Sequence, residues 1–288
     1  MGRSVMHDIE AVGEGVRAVG EGRRDLSIET AGDDEIAELA QAAERMAQRL
    51  GATEAQRETA EAARRDLIAA VSHDLRTPLT SLRLLADAIA DDVGDQEARA
   101  TYLTRMSVHI ASLSSLVEDL FELSRLEAGE IRWSMQRVAL GELLEETVDA
   151  MRAAAEARRI AVRAEVNGEV APARADPEKL QRVLFNLIHN AIRHTPADGS
   201  VTVAAHSDGK CVEVEVADTG EGLAPDERER AFEPFFRGGD QSARSSEGSG
   251  LGLTICRAIV EAHGGRIWFA ESDRGARVRF SLPVAAQA

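Results

Sequence analysis

Two architectures in succession are predicted for this chain: an all-α coiled-coil and four-helix-bundle dimerisation region, followed by a two-layer α+β sandwich. Three observations predict them. Apolar residues recur at alternating steps of three and four as far as Leu126. From Gly129 onward that rhythm gives way to a mixture of period-two and period-3.6 segments. Aromatics make up only 3% of the residues, so the cores must be built from Leu, Val, Ile and Ala, a composition suited to long helices.

Composition narrows the function classes. The 288 residues carry 34 basic and 50 acidic side chains, a net charge of −16, and no arginine-rich stripe is interleaved with aromatics. Nucleic acid is therefore excluded as a partner, and an anionic ligand would need locally arranged cations. Cys211 and Cys256 lack the spacing of zinc ligands or a redox pair. No stretch approaches the roughly 18 apolar residues of a membrane span, and MGRSVMHDIE has no apolar signal core, so the chain as given is expected to be cytoplasmic.

Residues 1–52 form the first expected domain. Val5, Ile9, Val12, Val16 and Val19 make one short seam, and Ile36, Leu39, Ala43, Met46 and Leu50 make another. Two such stripes call for a self-associating parallel bundle, with Leu26 and Ile28 of the connector packing alongside. The layout resembles a HAMP signalling module, including Asp34 and Glu35 at the opening of its second helix.

Residues 53–129 form the second. From Thr53 to Arg65 the pattern thins into a linking helix. Ile68, Leu75, Leu82 and Ile89 then occupy one heptad position, and Val71, Pro78 and Leu85 the other. After the turn signal DDVGDQ, a second helix places Leu103, Ile110 and Val117 at one position and Met106, Leu113 and Leu120 at the other. Leu79, Leu84, Leu116, Phe121 and Leu123 widen the apolar surface beyond one partner helix, which predicts a dimeric four-helix bundle.

With Ile68 at position a, His73 falls at f and points away from the bundle core. A lone exposed histidine is usually solvated surface. Here Asp74 can hold one ring nitrogen protonated and leave the other as a nucleophile, while Thr77, one turn on, can orient a water. Pro78 cannot donate to the carbonyl of Asp74, so the helix should bend after the histidine.

Residues 130–288 form the third domain. Strands are expected at 135–138, 160–166, 200–205 and 211–217 and in a closing pair at RIWFA and ARVRFSLP, with helices at 140–158, 177–194 and 251–263. Helices segregated from a mostly antiparallel sheet indicate two layers. The glycine- and serine-rich stretch between Phe236 and Gly250 reads as a mobile lid.

The helix after Pro177 buries Leu180, Val183, Leu184, Leu187, Ile188 and Ala191 and carries Asn186, Asn190 and Arg193 along its border. Such asparagines can simply cap local backbone, or can serve a hydrated magnesium and its phosphates. Asp218 lies on the valine side of its strand, where a carboxylate needs a donor such as adenine's amine, although a plain turn would also place it there. Gly220 and Gly222 permit close backbone approach. Gly248, Gly250, Leu251 and Gly252 lead into a helix burying Leu253, Cys256, Ile259 and Val260, and glycine-rich helix starts bind phosphate. His263 reads as an ordinary helix C-terminus.

In order, VSHDLRTPLTSL resembles the H box of sensor histidine kinases, NLIHNAIRHT the N box, DTGEGL the G1 box, AFEPFFRG the F box and GSGLGLTI the G2 box. The resemblance implies an ATPase domain of the gyrase, chaperone and mismatch-repair superfamily that binds Mg-ATP under a lid. It implies a homodimer that autophosphorylates on His73, with Asp74 as hydrogen-bond partner or base, and transfers the group to an aspartate of a response regulator receiver domain. Thr77 would position water for dephosphorylation of that partner. Asn190 resembles the Mg2+ ligand, Asn186 its companion, Arg193 the N-box cation, and Asp218 the adenine reader supported by Gly220 and Gly222. Gly248, Gly250, Leu251 and Gly252 resemble the lid and phosphate loop; Phe232, Phe235, Phe236 and Arg237 belong to the lid anchor. Where the family most often has Lys-Tyr, this chain has Arg193-His194. A HAMP-like module usually follows a membrane helix, so a membrane sensor omitted here or encoded separately is expected. The alternatives are a non-catalytic nucleotide-binding relay, a gyrase-type ATPase and a predominantly phosphatase role.

Overall fold

Steps of three and four place apolar side chains on one side of a helix, and most of the described residues before 128 are correspondingly helical. The computed structural model describes residues 2–29, 35–91, 93–166, 170–236, 238 and 249–285. It consists of two units, residues 1–72 and 73–288. Gly248 and Arg237, and the lid expected between Phe236 and Gly250 apart from Gly238 and Ser249, lie outside the described residues. Among the described residues no helix is long and apolar enough to cross a membrane.

In the first unit α1 (Gly2–Gly20) is followed by irregular chain over residues 21–29, and α2 (Glu35–Ala90) is the next helix. The connector lies against both helices. A Cβ added at Gly15 of α1 would meet Ile28 Cδ1 at 2.5 Å and Leu26 Cδ2 at 3.2 Å. The Ile28 N–H donates to Glu44 Oε1 at 2.6 Å, and Arg24 donates twice to the Glu54 carboxylate, each at 2.7 Å. Leu26 and Ile28 therefore pack as expected, and the face buried within the single chain carries few of the heptad residues. Val12, Ala18, Ala37, Ala40 and Ala47 are buried, whereas Ile9, Val16, Leu39, Met46 and Leu50 are between 40% and 62% exposed. Small residues admit the connector, and the larger apolar ones are left facing outward.

Helix α2 is helical without interruption through the segment expected only to link, and through Pro78. In the second unit α3 (Gln96–Glu127) starts at Asp95, whose Oδ1 accepts from the Ala98 N–H at 2.9 Å. Leu79, Leu84, Leu103, Ile110, Val117 and Phe121 stand at least 51% exposed. Leu116 and Leu123, expected to face a second hairpin, are instead buried within this chain, where α3 lies against α7.

The remaining elements are β1 (Gln136–Val138), α4 (Leu140–Ala157), β2 (Ala161–Val166), β3 (Ala173–Ala175), α5 (Pro177–His194), β4 (Ser200–Ser207), β5 (Cys211–Asp218), α6 (Glu227–Arg230), α7 (Gly252–Ala262), β6 (Arg266–Phe269) and β7 (Arg277–Pro283). One sheet has the order β2-β4-β5-β7-β6, with β2 and β4 parallel and the other neighbours antiparallel. The short β3 pairs with β1; three residues carry too little periodicity to be read from sequence. One sheet face buries Val201, Val203, Val212, Val214, Val216, Phe280 and Leu282 under α4, α5 and α7. The opposite face pairs charges across strands, with Arg279 reaching Glu215 at 2.6 Å and Glu213 at 3.1 Å. In α7 the packed residues are Ile255, Cys256, Ile259 and Val260, with Leu251 just before them. Leu253 is only half-buried, because steps of four from Leu251 set the inner face.

The start of α5 is tied down from three directions. Asp176 is its N-cap, accepting from the Lys179 N–H at 3.3 Å through Oδ1 and from the Ser134 N–H at 2.8 Å through Oδ2. The Asp176 N–H donates to His263 Nε2 at 3.0 Å, while His263 Nδ1–H donates to the Ile259 carbonyl at 2.7 Å. His263 is thus a buried neutral ring, and Trp133 meets it edge-on at 4.9 Å. It caps α7 as expected and, beyond that, joins α7 to α5. Asp176→Ala is expected to lower the stability of this domain by about 1–2 kcal/mol, read from its urea unfolding midpoint, and Asp176→Asn should recover only part of that loss, since its single amide oxygen can accept from Lys179 or from Ser134 but not from both.

Candidate active site

His73 stands on the exposed side of α2 with 79% of its side chain open to solvent, as position f requires. Its Nδ1 lies 3.1 Å from Asp74 Oδ1, and the carboxylate it faces is only 15% exposed. An ionised carboxylate only accepts, so Nδ1 carries the proton and Nε2 keeps its lone pair directed outward. Thr77 Oγ1 donates back to the His73 carbonyl at 3.4 Å, a weak bond from which the hydroxyl is readily released. The imidazole, its orienting carboxylate and the hydroxyl one turn on are therefore assembled by local helix geometry.

On α5, the seven buried residues Leu180, Val183, Leu184, Leu187, Ile188, Ala191 and Ile192 fix the helix rotation. That rotation sets Asn186, Asn190 and Arg193 at the border of the buried face, all half-buried. Asn186 Nδ2 is buried and donates to no nitrogen or oxygen among the described residues, with the Cys256 thiol as its neighbour. The amide sits beside the first residue of α7: a Cβ placed on Gly252 would be 3.7 Å from Asn186 Cγ and 3.8 Å from Nδ2. A buried donor beside a helix N-terminus, whose first N–H groups have no helical acceptor, suits an anionic ligand. Cys256 is fully buried one turn into α7, and burial pushes its thiol up to about 12, so it is a packing residue rather than a nucleophile.

At the far end of the sheet Asp218 is 8% exposed on the valine side of β5. Its Oδ1 accepts from the Gly220 N–H at 2.8 Å and from the Ala276 N–H at 3.1 Å, both on one oxygen. Burial raises the carboxyl above the ordinary aspartate range, against the lowering effect of the Ala276 and Gly220 donors. Three glycines make this cradle. A Cβ on Gly220 would come within 2.3 Å of the His194 carbonyl oxygen, one on Gly222 within 2.7 Å of the Gly275 oxygen, and one on Gly275 within 1.9 Å of the Asp218 oxygen. Gly275 and the Ala276 N–H are absent from the sequence-based set. The available signal was the DRG turn between the last two strands, which carries no indication of where in space it closes.

The loop entering α7 folds onto the F-box segment. Gly250 has φ +68°, its carbonyl accepts from the Phe235 N–H at 3.0 Å, and Phe235 itself adopts φ +61°. Ser249 accepts from the Leu251 N–H at 3.2 Å. Phe232 is buried at 5.3 Å from Phe269, and Arg230 lies over Phe236 at 4.9 Å. The structure thus joins Asn186 to Gly252, Asp218 to Gly220, and Gly250 to Phe235. His73 makes its ring hydrogen bond within its own turn.

Comparison with known proteins matches residues 1–52 to the HAMP domain, 63–129 to the His Kinase A (phospho-acceptor) domain and 175–286 to the histidine kinase-, DNA gyrase B- and HSP90-like ATPase. The sensor-like histidine kinase SenX3 of Mycobacterium tuberculosis is 34% identical over 230 residues, 79% of this chain and 56% of SenX3. The chain therefore spans a little over half the length of that curated relative. Among solved structures, full-length ShkA in complex with AMPPNP shares 32% identity at a TM-score of 0.58, covering 78% of this chain and 46% of ShkA. Histidine kinase ThkA in complex with the response regulator protein TrrA shares 25% identity at a TM-score of 0.63, covering 88% of this chain and 68% of that one. Three domain families in this order, carried on an outward histidine and a glycine-cradled aspartate, establish that the chain belongs to the sensor histidine kinases of two-component systems.

Proposed function

We propose that this chain is an ATP-dependent protein-histidine kinase that works as a homodimer. It autophosphorylates on His73 and passes the phosphoryl group to an aspartate of a response regulator receiver domain. In this reading residues 1–52 relay a signal, residues 53–129 form the dimeric stem and residues 130–288 bind ATP. One observation carries it: an outward imidazole whose Nδ1 is engaged by Asp74, on the same chain as a buried Asn186 amide nitrogen at a helix N-terminus. The exposed apolar stripe of Leu79, Leu84, Leu103, Ile110 and Phe121 supports the dimer, since a monomer would leave it in water.

Asp218 accepts the exocyclic amine of adenine on Oδ2, because both backbone donors act on Oδ1. The cradle of Gly220, Gly222 and Gly275 lets the backbone approach the base. Gly250, Leu251 and Gly252 present backbone N–H groups to the phosphates, with Asn186 and Arg193 as side-chain donors. The acceptor oxygen of Asn190 fits Mg2+, which when bound neutralises phosphate charge. The His73 Nε2 lone pair forms a bond to the γ-phosphorus as the bond to the β-phosphate bridging oxygen breaks and ADP departs. The Nδ1 proton then moves to Asp74 or to water, leaving a phosphoramidate whose ring is neutral and whose phosphoryl oxygens carry the negative charge. Thr77, freed from its backbone bond, orients water for dephosphorylating the regulator.

Purified protein given γ-labelled ATP and Mg2+ should acquire base-stable, acid-labile label that His73→Gln abolishes. Equal labelling of the two proteins refutes the assignment, and no labelling of the wild type would leave a non-catalytic relay. Asp218→Asn should weaken Mg-AMPPNP binding at least about tenfold by calorimetry, the loss of a hydrogen bond to a charged group. Because burial raises the Asp218 carboxyl, affinity should be complete above its folded value and fall as pH drops through it, at a higher pH than an ordinary aspartate would impose. The stability linkage has the opposite sense: a raised value in the folded state stabilises below the unfolded value, and this is lost as pH rises through the folded one. Near pH 7, nucleotide-free Asp218→Asn should therefore melt above wild type while binding worse. Gly275→Ala, strained at φ +72° and against the Asp218 backbone, should lower both melting temperature and affinity.

A further inference from the structure

On α3, Asp119 shares a face with the buried Leu116 and Leu123, and it reaches two groups beside the nucleotide loop. Its Oδ1 accepts from Arg182 Nη2 at 2.8 Å, and its Oδ2 accepts from the Ser249 hydroxyl at 2.8 Å. One stem carboxylate therefore ties α5 to the loop entering α7. Glu122, with 7% of its side chain exposed, extends the cluster: Lys179 Nζ donates to its Oε1 at 2.7 Å. Its Oε2 stands 2.5 Å from Arg182 Nε but off the N–H direction, so that contact is an ion pair without a hydrogen bond. Asp119 is itself only 15% exposed. Partly desolvated charges like these interact more strongly than surface pairs.

The same groups adjoin the phosphate end. Arg182 precedes the buried amide nitrogen of Asn186 by one turn, and Ser249 is bonded to the Leu251 N–H at the start of α7. A triphosphate arriving there would bring negative charge beside Asp119 and would draw on the same cation and hydroxyl. We propose that Asp119 and Glu122 form a latch that competes with the nucleotide triphosphate for Arg182 and Ser249, so that ATP binding and release of the ATPase domain from α3 are coupled. The proposal rests on the ATP site described above. Coupling of this kind is reciprocal: the latch weakens ATP binding by the factor by which ATP weakens the latch. A kinase without bound ATP would thereby keep its phosphate loop docked on the stem.

The test is calorimetric titration of the full chain with AMPPNP and Mg2+. Asp119→Asn, which keeps the shape and removes the charge, should bind roughly five- to tenfold more tightly than wild type. Glu122→Gln, which does not touch Ser249, should gain affinity by a smaller factor, and it serves as the test if Asp119→Asn loses the thermal transition of the wild type. Unchanged or weaker binding by the folded variants, with wild-type affinity measurable, overturns the latch and leaves the ATP site standing. Wild type that binds no more nucleotide than Asp218→Asn overturns the ATP site, and the latch with it.

Discussion

The rotational setting of α5 is the constraint on which the rest of the ATPase domain depends. Seven of its side chains are buried against the sheet and neighbouring helices, and at roughly 1.5–3 kcal/mol for each large apolar residue this face admits no rotation. Asn186, Asn190 and Arg193 inherit their direction from that packing. The axial position is held separately, by Asp176 capping the first turn, Ser134 bonded to the same carboxylate, and His263 bonded to the Asp176 N–H. The polar border is therefore presented by a helix that can neither turn nor slide, which is what preorganised recognition of a polyphosphate requires.

Asp218 illustrates the opposite economy. A carboxylate at 8% exposure among valines is unfavourable to the fold, and two backbone N–H groups on one oxygen compensate it in part. The glycines around it allow backbone approaches that no other residue could make, with Gly275 the tightest. A buried carboxylate that is unfavourable to the fold is the pattern expected where a bound group completes the hydrogen bonding.

The helical part works by leaving surface uncovered. In residues 1–72 the connector is accommodated by alanines and glycine while the larger apolar side chains face outward. In the second unit the exposed stripe on α2 and α3 coexists with a different face of α3, carrying Leu116, Asp119 and Leu123, that is already occupied by the ATPase domain. Two sides of one helix thus differ, one occupied by the ATPase domain and the other uncovered. His73 belongs to neither, and its exposure follows from that.

Local periodicity and motif spacing made most of this legible. Periodicity defines the limits of α5 to the residue, strand alternation sets Asp218 on the valine side, and heptad position alone turns His73 outward, because each depends on residues within a few turns of one another. The short β3, the choice of Leu251 and Ile255 over Leu253, and the Leu116 face escaped, since three residues or one turn hold too little pattern. Tertiary structure alone decided that Ala276 supports Asp218 across 58 positions, that His263 joins Asp176 across 87 and that Ser249 meets Asp119 across 130. A sequence reports which face of an element is apolar; it does not report which distant polar group that face will meet, because that depends on how the packed layers bring remote loops together.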